Sequence, residues 1–181
     1  MSFAGVRSPF PTTAGLARIS LNQAVLTPPD SLLLGSVTAK RKLVVFADYE
    51  CPPCRHEWPI IEAAFARQKG DMAVYYRQFP LTTLHPHALE SARIAETAKV
   101  NGHYLTIHQE LLNLPLSGKR LKLVSKLAGK APSIDQERVV TQQIERDIDL
   151  GLALGVAGTP SMYFVDGDEV YKATSLDFLA K

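Results

Sequence analysis

The sequence predicts an α/β domain with an inserted helical block. Three observations predict it. A short apolar run, Leu43–Ala47, is followed by apolar residues at helical spacing and then by a second run, Met72–Phe79. Strand, helix and strand in that order make a βαβ unit. The stretch 85–150 carries only helical periodicity. At the end, Ser161–Val165 and Glu169–Tyr171 flank Asp166-Gly167-Asp168, which reads as a hairpin. The length of 181 residues suits one such domain.

Residues 1–29 hold no Asp or Glu and only Arg7 and Arg18 as basic groups. The first 17 or so are expected to be poorly ordered, being rich in Ser, Thr, Pro and Gly. An acid-poor start resembles a transit peptide, but Pro11, Pro28 and Pro29 break a long amphipathic helix. No apolar stretch of about 7–15 residues follows the basic residues, as a secretory signal requires. The start is therefore read as one whose targeting segment is missing. Residues 19–26 fit a short strand.

Leu43–Ala47 is continuous and β-branched, so it suits a strand covered on both faces. From Pro52 the period changes: Trp58, Ile61, Ala64 and Phe65 mark a helix ending near Gly70. Pro80 stops the strand Met72–Phe79. Leu89, Ala92, Ala95 and Val100 share a helix face that Asn101-Gly102 closes. Tyr104, Ile107 and Leu111 make a second helix, and Leu121, Val124 and Leu127 a third. Ser133 with Gln136 is a capping box for a fourth, striped by Val140, Ile144 and Ile148 and ended at Gly155. Leu176, Phe178 and Leu179 suggest a short last helix. The expected organisation is an N-terminal extension (1–40), a core in two pieces (41–84 and 151–181) and a helical insertion (85–150).

Composition excludes several classes. With 46% hydrophobic and 21% charged residues, the chain is not wholly disordered, collagenous or a coiled coil. A net charge of +2 gives no footprint for nucleic acid. No apolar run approaches the roughly 18 residues of a membrane span.

The two cysteines are the most informative residues. Cys51 and Cys54 are alone and sit in one Cys-Pro-Pro-Cys tetrapeptide. A disulfide there closes a very small loop and constrains the unfolded chain little, so reactivity is a stronger reading than stapling. The spacing places both thiols where a buried strand hands over to a helix. Unpaired N–H groups and the helix dipole favour an anion at that point, and a thiolate is the species that attacks disulfides. Cys51 is expected to be the more exposed, attacking sulfur, and Cys54 the resolving one. Pro52 and Pro53 remove two N–H donors, leaving that of Cys54. Glu50 adds an opposing negative charge, while Arg55 and His56 act the other way. The Cys51 pKa is expected below that of a free thiol but not extremely low, giving a couple of intermediate poise.

A second segment, Gly155-Val156-Ala157-Gly158-Thr159-Pro160-Ser161, precedes the hairpin. Its Thr159–Pro160 bond suits either a tight cis turn or an ordinary trans loop.

Three segments together resemble the DsbA-like thiol-disulfide oxidoreductases of the thioredoxin superfamily: Val45-Phe46-Ala47-Asp48-Tyr49-Glu50-Cys51-Pro52-Pro53-Cys54, then Arg77-Gln78-Phe79-Pro80-Leu81 with His85-Pro86-His87-Ala88, then Gly155–Pro160. They span residues 43–181 in family order. The resemblance implies a thioredoxin fold with an inserted helical subdomain, and catalytic Cys51 and Cys54. It implies a cis Pro160 beside them, and Thr159 offering backbone hydrogen bonds to an extended substrate. No cofactor is implied. Partners are protein substrates with thiols or disulfides and a redox partner that regenerates the pair; a homodimer stays open. An oxidising, periplasmic or otherwise extracytoplasmic compartment is implied by the chemistry. Three positions depart from the pattern. Val45 stands where relatives often carry a buried acid that assists proton transfer, so another group or water must serve there, with Asp48 and Glu50 as candidates. Pro53 replaces the histidine of strong oxidants, and Lys172 stands where relatives tend to have glycine after the last strand.

Three other readings compete. Zinc could be held by Cys51, Cys54 and His56 with His85, His87, His103 or His108, although structural zinc usually shows two ligand pairs. The histidines are otherwise expected at the surface or at caps, with His108 solvated. A peptide-binding chaperone would use Tyr49, Met162 and Trp58, the last expected in the core. Glutathione-dependent chemistry is the third. Oxidase, reductase and isomerase directions are not distinguished.

Overall fold

The structure is a computed structural model that describes residues 15–179 except Lys69 and Leu114. Most of the stretch expected to be poorly ordered, residues 1–14, lies outside the described residues. The chain forms β1 (Leu16–Ile19), α1 (Gln23–Leu26), β2 (Leu32–Leu34), β3 (Arg41–Ala47), α2 (Pro52–Arg67) and β4 (Met72–Gln78). Four helices follow: α3 (Ala88–Val100), α4 (Tyr104–Asn113), α5 (Gly118–Leu127) and α6 (Ile134–Ala153). The hairpin β5 (Ser161–Asp166) and β6 (Glu169–Ala173) comes next, then a single 3-10 turn at Asp177–Leu179.

The six strands lie in the order β1-β6-β5-β3-β4-β2. β3 and β4 are parallel, and every other pairing is antiparallel. The two-residue period of β3 sorts its side chains. Leu43, Val45 and Ala47 pack with Trp58, Ile61 and Ala64 of α2 and with α3–α5. Val44 and Phe46 join Tyr75, Tyr163 and Val165 on the other face, where Ile148 and Leu150 of α6 and its C-cap Leu154 cover them. Both faces are covered, as the continuous apolar run predicts.

Two expectations need correction. Residues 19–26 are not a strand: β1 ends at Ile19, and Asn22 caps the single turn α1 by accepting from the Ala24 N–H at 3.0 Å. Lys172 does not follow the last strand but lies within β6, paired with Ala17 and Tyr163. Residues 16–34 also supply both outer strands, so this part of the N-terminal stretch is built into the sheet. β1 is only four residues long, too short for periodicity to reveal it; backbone pairing with β6 defines it.

α6 lies close to the sheet because Gly151 lacks a side chain. A Cβ there would come within 2.5 Å of the Phe79 ring. Its capping box forms as predicted, with Ser133 Oγ accepting from the Gln136 N–H and Gln136 Oε1 from the Ser133 N–H. Gly155, with φ of 70°, supplies the left-handed stop.

A buried polar bridge ties this helix to β4 and the N-terminal stretch. Arg77 Nε lies 2.9 Å from Asp147 Oδ1, and both side chains are almost wholly buried. Asp147 also accepts from the Gln78 N–H at 2.8 Å and from Gln143 at 3.2 Å, while Gln143 donates to Ser31 Oγ at 3.1 Å. Burial disfavours charge on both ionic partners, lowering the Arg77 pKa and raising that of Asp147 to about 7, and their mutual attraction offsets only part of it. Asp147→Ala leaves a buried guanidinium uncompensated. We expect it to lower unfolding stability by about 3–5 kcal/mol in urea titrations; a change under about 1 kcal/mol would mean the bridge is not anchored as described.

Candidate functional site: a paired-thiol centre at a helix mouth

The end of β3 positions the site. After Ala47 the chain turns at Asp48-Tyr49-Glu50, and the Cys51 N–H donates to the Asp48 carbonyl at 3.1 Å. Cys51 is the N-cap of α2, with Pro52 and Pro53 filling its first turn. Their missing N–H groups had no helical partner to lose. Cys54 follows on the buried face. Both thiols are free, and their exposures are 4% and 5%. Surface exposure is nearly equal, but Cys54 lies deeper in the protein than Cys51, in keeping with the expectation, and their hydrogen-bonding surroundings distinguish them further.

The pairing of β3 with β5 brings the second segment here. Val45 opposes Met162 and Phe46 opposes Ser161, so the turn before β5 lies beside the turn after β3. The Thr159–Pro160 bond is cis, resolving the alternative that the residues alone left open. Cys51 Sγ donates to the Thr159 carbonyl at 3.2 Å, joining positions 108 residues apart.

These contacts set the thiol acidities. Hydrogen bonding from the Cys54 thiol is the largest influence on Cys51 and stabilises its thiolate. Burial opposes it, but the Thr159 side chain (not the carbonyl that accepts from the neutral thiol) and the Cys54 N–H assist, and the Cys51 pKa comes down to about 6. The one donor that the two prolines spare is thus in use. The negative charge that opposes the Cys51 thiolate comes from Asp48. Cys54 moves far upward, because it gives its proton to the shared hydrogen bond and is buried.

Asp48 is 2% exposed and organises this end of the fold. It accepts from the Glu50 N–H at 2.8 Å, the Leu81 N–H at 2.9 Å and His85 Nδ1 at 2.8 Å. Burial disfavours charge on His85, yet the Asp48 hydrogen bond and charge outweigh it and raise the His85 pKa. Glu50 points away from the thiols, accepting from the His87 N–H at 2.6 Å, and its charge reaches His85. His56 is exposed, and its charge acts on Glu57. Arg55 turns to α4, where Nε donates to the Leu112 carbonyl at 3.1 Å.

Several residues belong to the surroundings without a clear signal in the sequence. His108 is wholly buried rather than solvated, and its Nδ1 meets the Tyr49 hydroxyl at 2.9 Å. Its ring lies 4.2 Å from that of Trp58 and 4.6 Å from that of Tyr76. Burial pushes its pKa down to about 3, so it is neutral. Tyr49 and Trp58 are core residues of the same cluster, not an open groove. Met162 and Pro160 line a small recess with Glu57, Thr174, Ser175 and Leu176. Helical spacing from Cys54 was the available signal for Glu57, since i and i+3 share a face. Among the described residues, no three His, Cys, Asp or Glu side chains converge as a metal site, and no helix is long and apolar enough to cross a membrane.

The model of the Thioredoxin family matches residues 27–181. The chain belongs to that family. Solved structures agree on the fold. A periplasmic thioredoxin-like protein from Salmonella enterica serovar Typhimurium is 24% identical, with a TM-score of 0.68 over 88% of this chain and 96% of the other. The thiol-disulfide exchange protein alpha-DsbA2 from Wolbachia pipientis is 20% identical, with a TM-score of 0.69 over 87% of each chain. The catalytic domain of Proteus mirabilis ScsC is 22% identical, with a TM-score of 0.66 over 88% of this chain and 95% of the other. These likenesses bear out the expected thioredoxin fold. Among curated proteins, Na(+)/H(+) antiporter NhaA 1 of Mycolicibacterium vanbaalenii is 33% identical over 79 residues, 44% of this chain and 13% of the antiporter. Na(+)/H(+) antiporter NhaA 3 of Salinispora tropica is 28% identical over 131 residues, 69% of this chain and 20% of the antiporter. The chain thus spans a fifth or less of the length of these two relatives.

Removing the Cys54 thiol removes the strongest support of the Cys51 thiolate. Thiolate absorbance near 240 nm, titrated in the reduced protein, should show a midpoint near pH 6. In Cys54→Ala it should rise by at least one unit, and iodoacetamide alkylation at pH 6 should slow accordingly. An unchanged midpoint would assign the acidity to the helix mouth alone.

Proposed function

We propose that this protein exchanges disulfides with client proteins through Cys51 and Cys54. The observation that carries the reading is the asymmetry of the pair: one thiol with lowered pKa at a helix mouth, and a second, raised one beside it. The Cys51 thiolate attacks a client disulfide and forms a mixed disulfide. Cys54 then attacks Cys51 and releases the reduced client. The same steps run backwards oxidise a client dithiol.

Thr159 and Pro160 form the proposed client platform. The Thr159 carbonyl already meets the Cys51 sulfur, and Pro160 has no N–H to compete for a partner. An extended client segment laid across this turn would pair with the Thr159 backbone by strand addition. Asp48 tunes Cys51 directly through its charge. Glu50 acts through His85, and His56 through Glu57.

The Cys51 acidity supports an intermediate poise. A thiol near 6 lies between that of thioredoxin, about 7, and that of DsbA, about 3.5. The pair is therefore assigned a potential between about −270 and −120 mV, with a partner protein or thiol pool setting the direction. The chemistry suits an oxidising, extracytoplasmic compartment.

Insulin reduction in dithiothreitol tests the reading. The native protein should accelerate it, and Cys51→Ala should fall to the uncatalysed background while keeping its fold by circular dichroism. Equilibration of the native pair with a glutathione series should place it inside the stated range. Full activity in Cys51→Ala would instead favour a chaperone whose cysteines are incidental.

A further inference from the structure

Exchange through Cys51 and Cys54, as proposed above, leaves one chemical need unmet. Cys54 must lose its proton before it attacks the mixed disulfide, and its surroundings hold that proton tightly. Val45, where relatives often carry an acid, has no ionisable group. Asp48 and Glu50, the substitutes that the sequence suggests, are committed elsewhere. Asp48 accepts from two backbone N–H groups and His85, and its own N–H supports the Cys54 sulfur. Glu50 Oε2 accepts from the start of α3.

Glu57 is different. It lies three residues after Cys54 on α2, and residues at this spacing share a helix face with Cβ atoms about 5–6 Å apart. Its Oε2 atom is buried and has no hydrogen-bond partner. Glu57 lines a recess together with Pro160 and Met162, which sets it beside the turn that touches Cys51. A buried carboxylate oxygen without a donor is costly unless the group exchanges protons or meets a ligand.

We propose that Glu57 is the proton-exchange group of the Cys54 step. In the reductive direction its carboxylate takes the Cys54 proton while the Cys54 sulfur bonds to Cys51. The bond from Cys51 to the client sulfur breaks, and its electron pair leaves on the client as thiolate. In the oxidative direction a client thiolate attacks Cys51, Cys54 leaves as thiolate, and the Glu57 carboxyl returns the proton. No outside oxidant or reductant enters either sequence.

The electrostatics support the role. Burial raises the Glu57 pKa, His56 opposes the rise, and the charge of Cys51 adds to it. A raised carboxyl is a more effective base near neutral pH than an ordinary one. The recess walls from β5, β6 and the following turn are neutral: Pro160, Met162, Ala173, Thr174, Ser175 and Leu176. The charged groups acting on Glu57 are therefore those of its own helix, His56 and Cys51.

The test is a single turnover. Reduced protein is mixed with a peptide closed by one disulfide, quenched in acid at intervals and analysed by mass spectrometry. The mixed disulfide's formation and decay are followed from pH 5 to 8. In the native protein, decay should rise with pH and level off as Glu57 ionises. In Glu57→Gln, decay should slow about 10²-fold at pH 7, the lower end of the range for a positioned general base, and should rise with pH without levelling. Glu57→Asp should restore the plateau. Mixed-disulfide formation should change less than threefold in both variants, since Cys51 carries that step. Native decay and an intact plateau in Glu57→Gln would overturn the role of Glu57 and leave the exchange reading standing. Failure of the native protein and of Cys54→Ser to form any mixed disulfide would overturn both.

Discussion

The antiparallel register of β3 against β5 is the constraint on which the site depends. It sets Phe46 opposite Ser161, so the chain leaving β3 and the chain entering β5 meet at one edge of the core. The Cys51 thiol and the Thr159 carbonyl touch for that reason alone, across 108 residues of sequence. A slip of one residue would turn every β3 side chain to the opposite face and separate the two turns. The apolar pattern forbids it, because Leu43, Val45 and Ala47 must meet α2 while Val44 and Phe46 meet the layer under α6.

Around that meeting point, polar groups are divided by task. Asp48 fastens loops: its carboxylate gathers the Glu50 and Leu81 amides and the His85 ring. Its charge opposes the nearby Cys51 thiolate, and donation from Cys54 outweighs it. Beneath lies an aromatic layer in which neutral His108 bonds Tyr49 and packs on Trp58 and Tyr76. Cys54 belongs to the same buried cluster, and its shared hydrogen bond with Cys51 together with burial keeps its proton in place. Glu57, one turn along α2 from Cys54, has a buried carboxylate oxygen without a hydrogen-bond partner. The inner thiol is thus stabilised protonated at rest, and a separate group is available to release it.

Much of this was legible in the sequence, for identifiable reasons. The βαβ unit, the capping box at Ser133 and the Asp166–Asp168 hairpin depend on local chemistry and periodicity, and each forms where that chemistry places it. The tetrapeptide announces its thiols by spacing alone. What remained hidden is set by tertiary contact. β1 exists because β6 offers a free edge. His108 reads as a solvated helical histidine until α4 packs its face against Trp58 and Tyr76. Glu50 stands beside Cys51 in sequence, yet its side chain serves the start of α3. Sequence adjacency overstated its influence on the thiol, whereas Glu57, three residues beyond Cys54, carries the buried oxygen without a partner on which the proposed proton-exchange role rests.

Trapping the mixed disulfide tests the central claim most directly. Cys54→Ser, lacking its resolving sulfur, is incubated with a disulfide-bonded client protein, and the product is mapped by mass spectrometry. The account predicts a covalent adduct to the client through Cys51 that dithiothreitol dissolves. No adduct in a folded protein with a titratable Cys51 would contradict it.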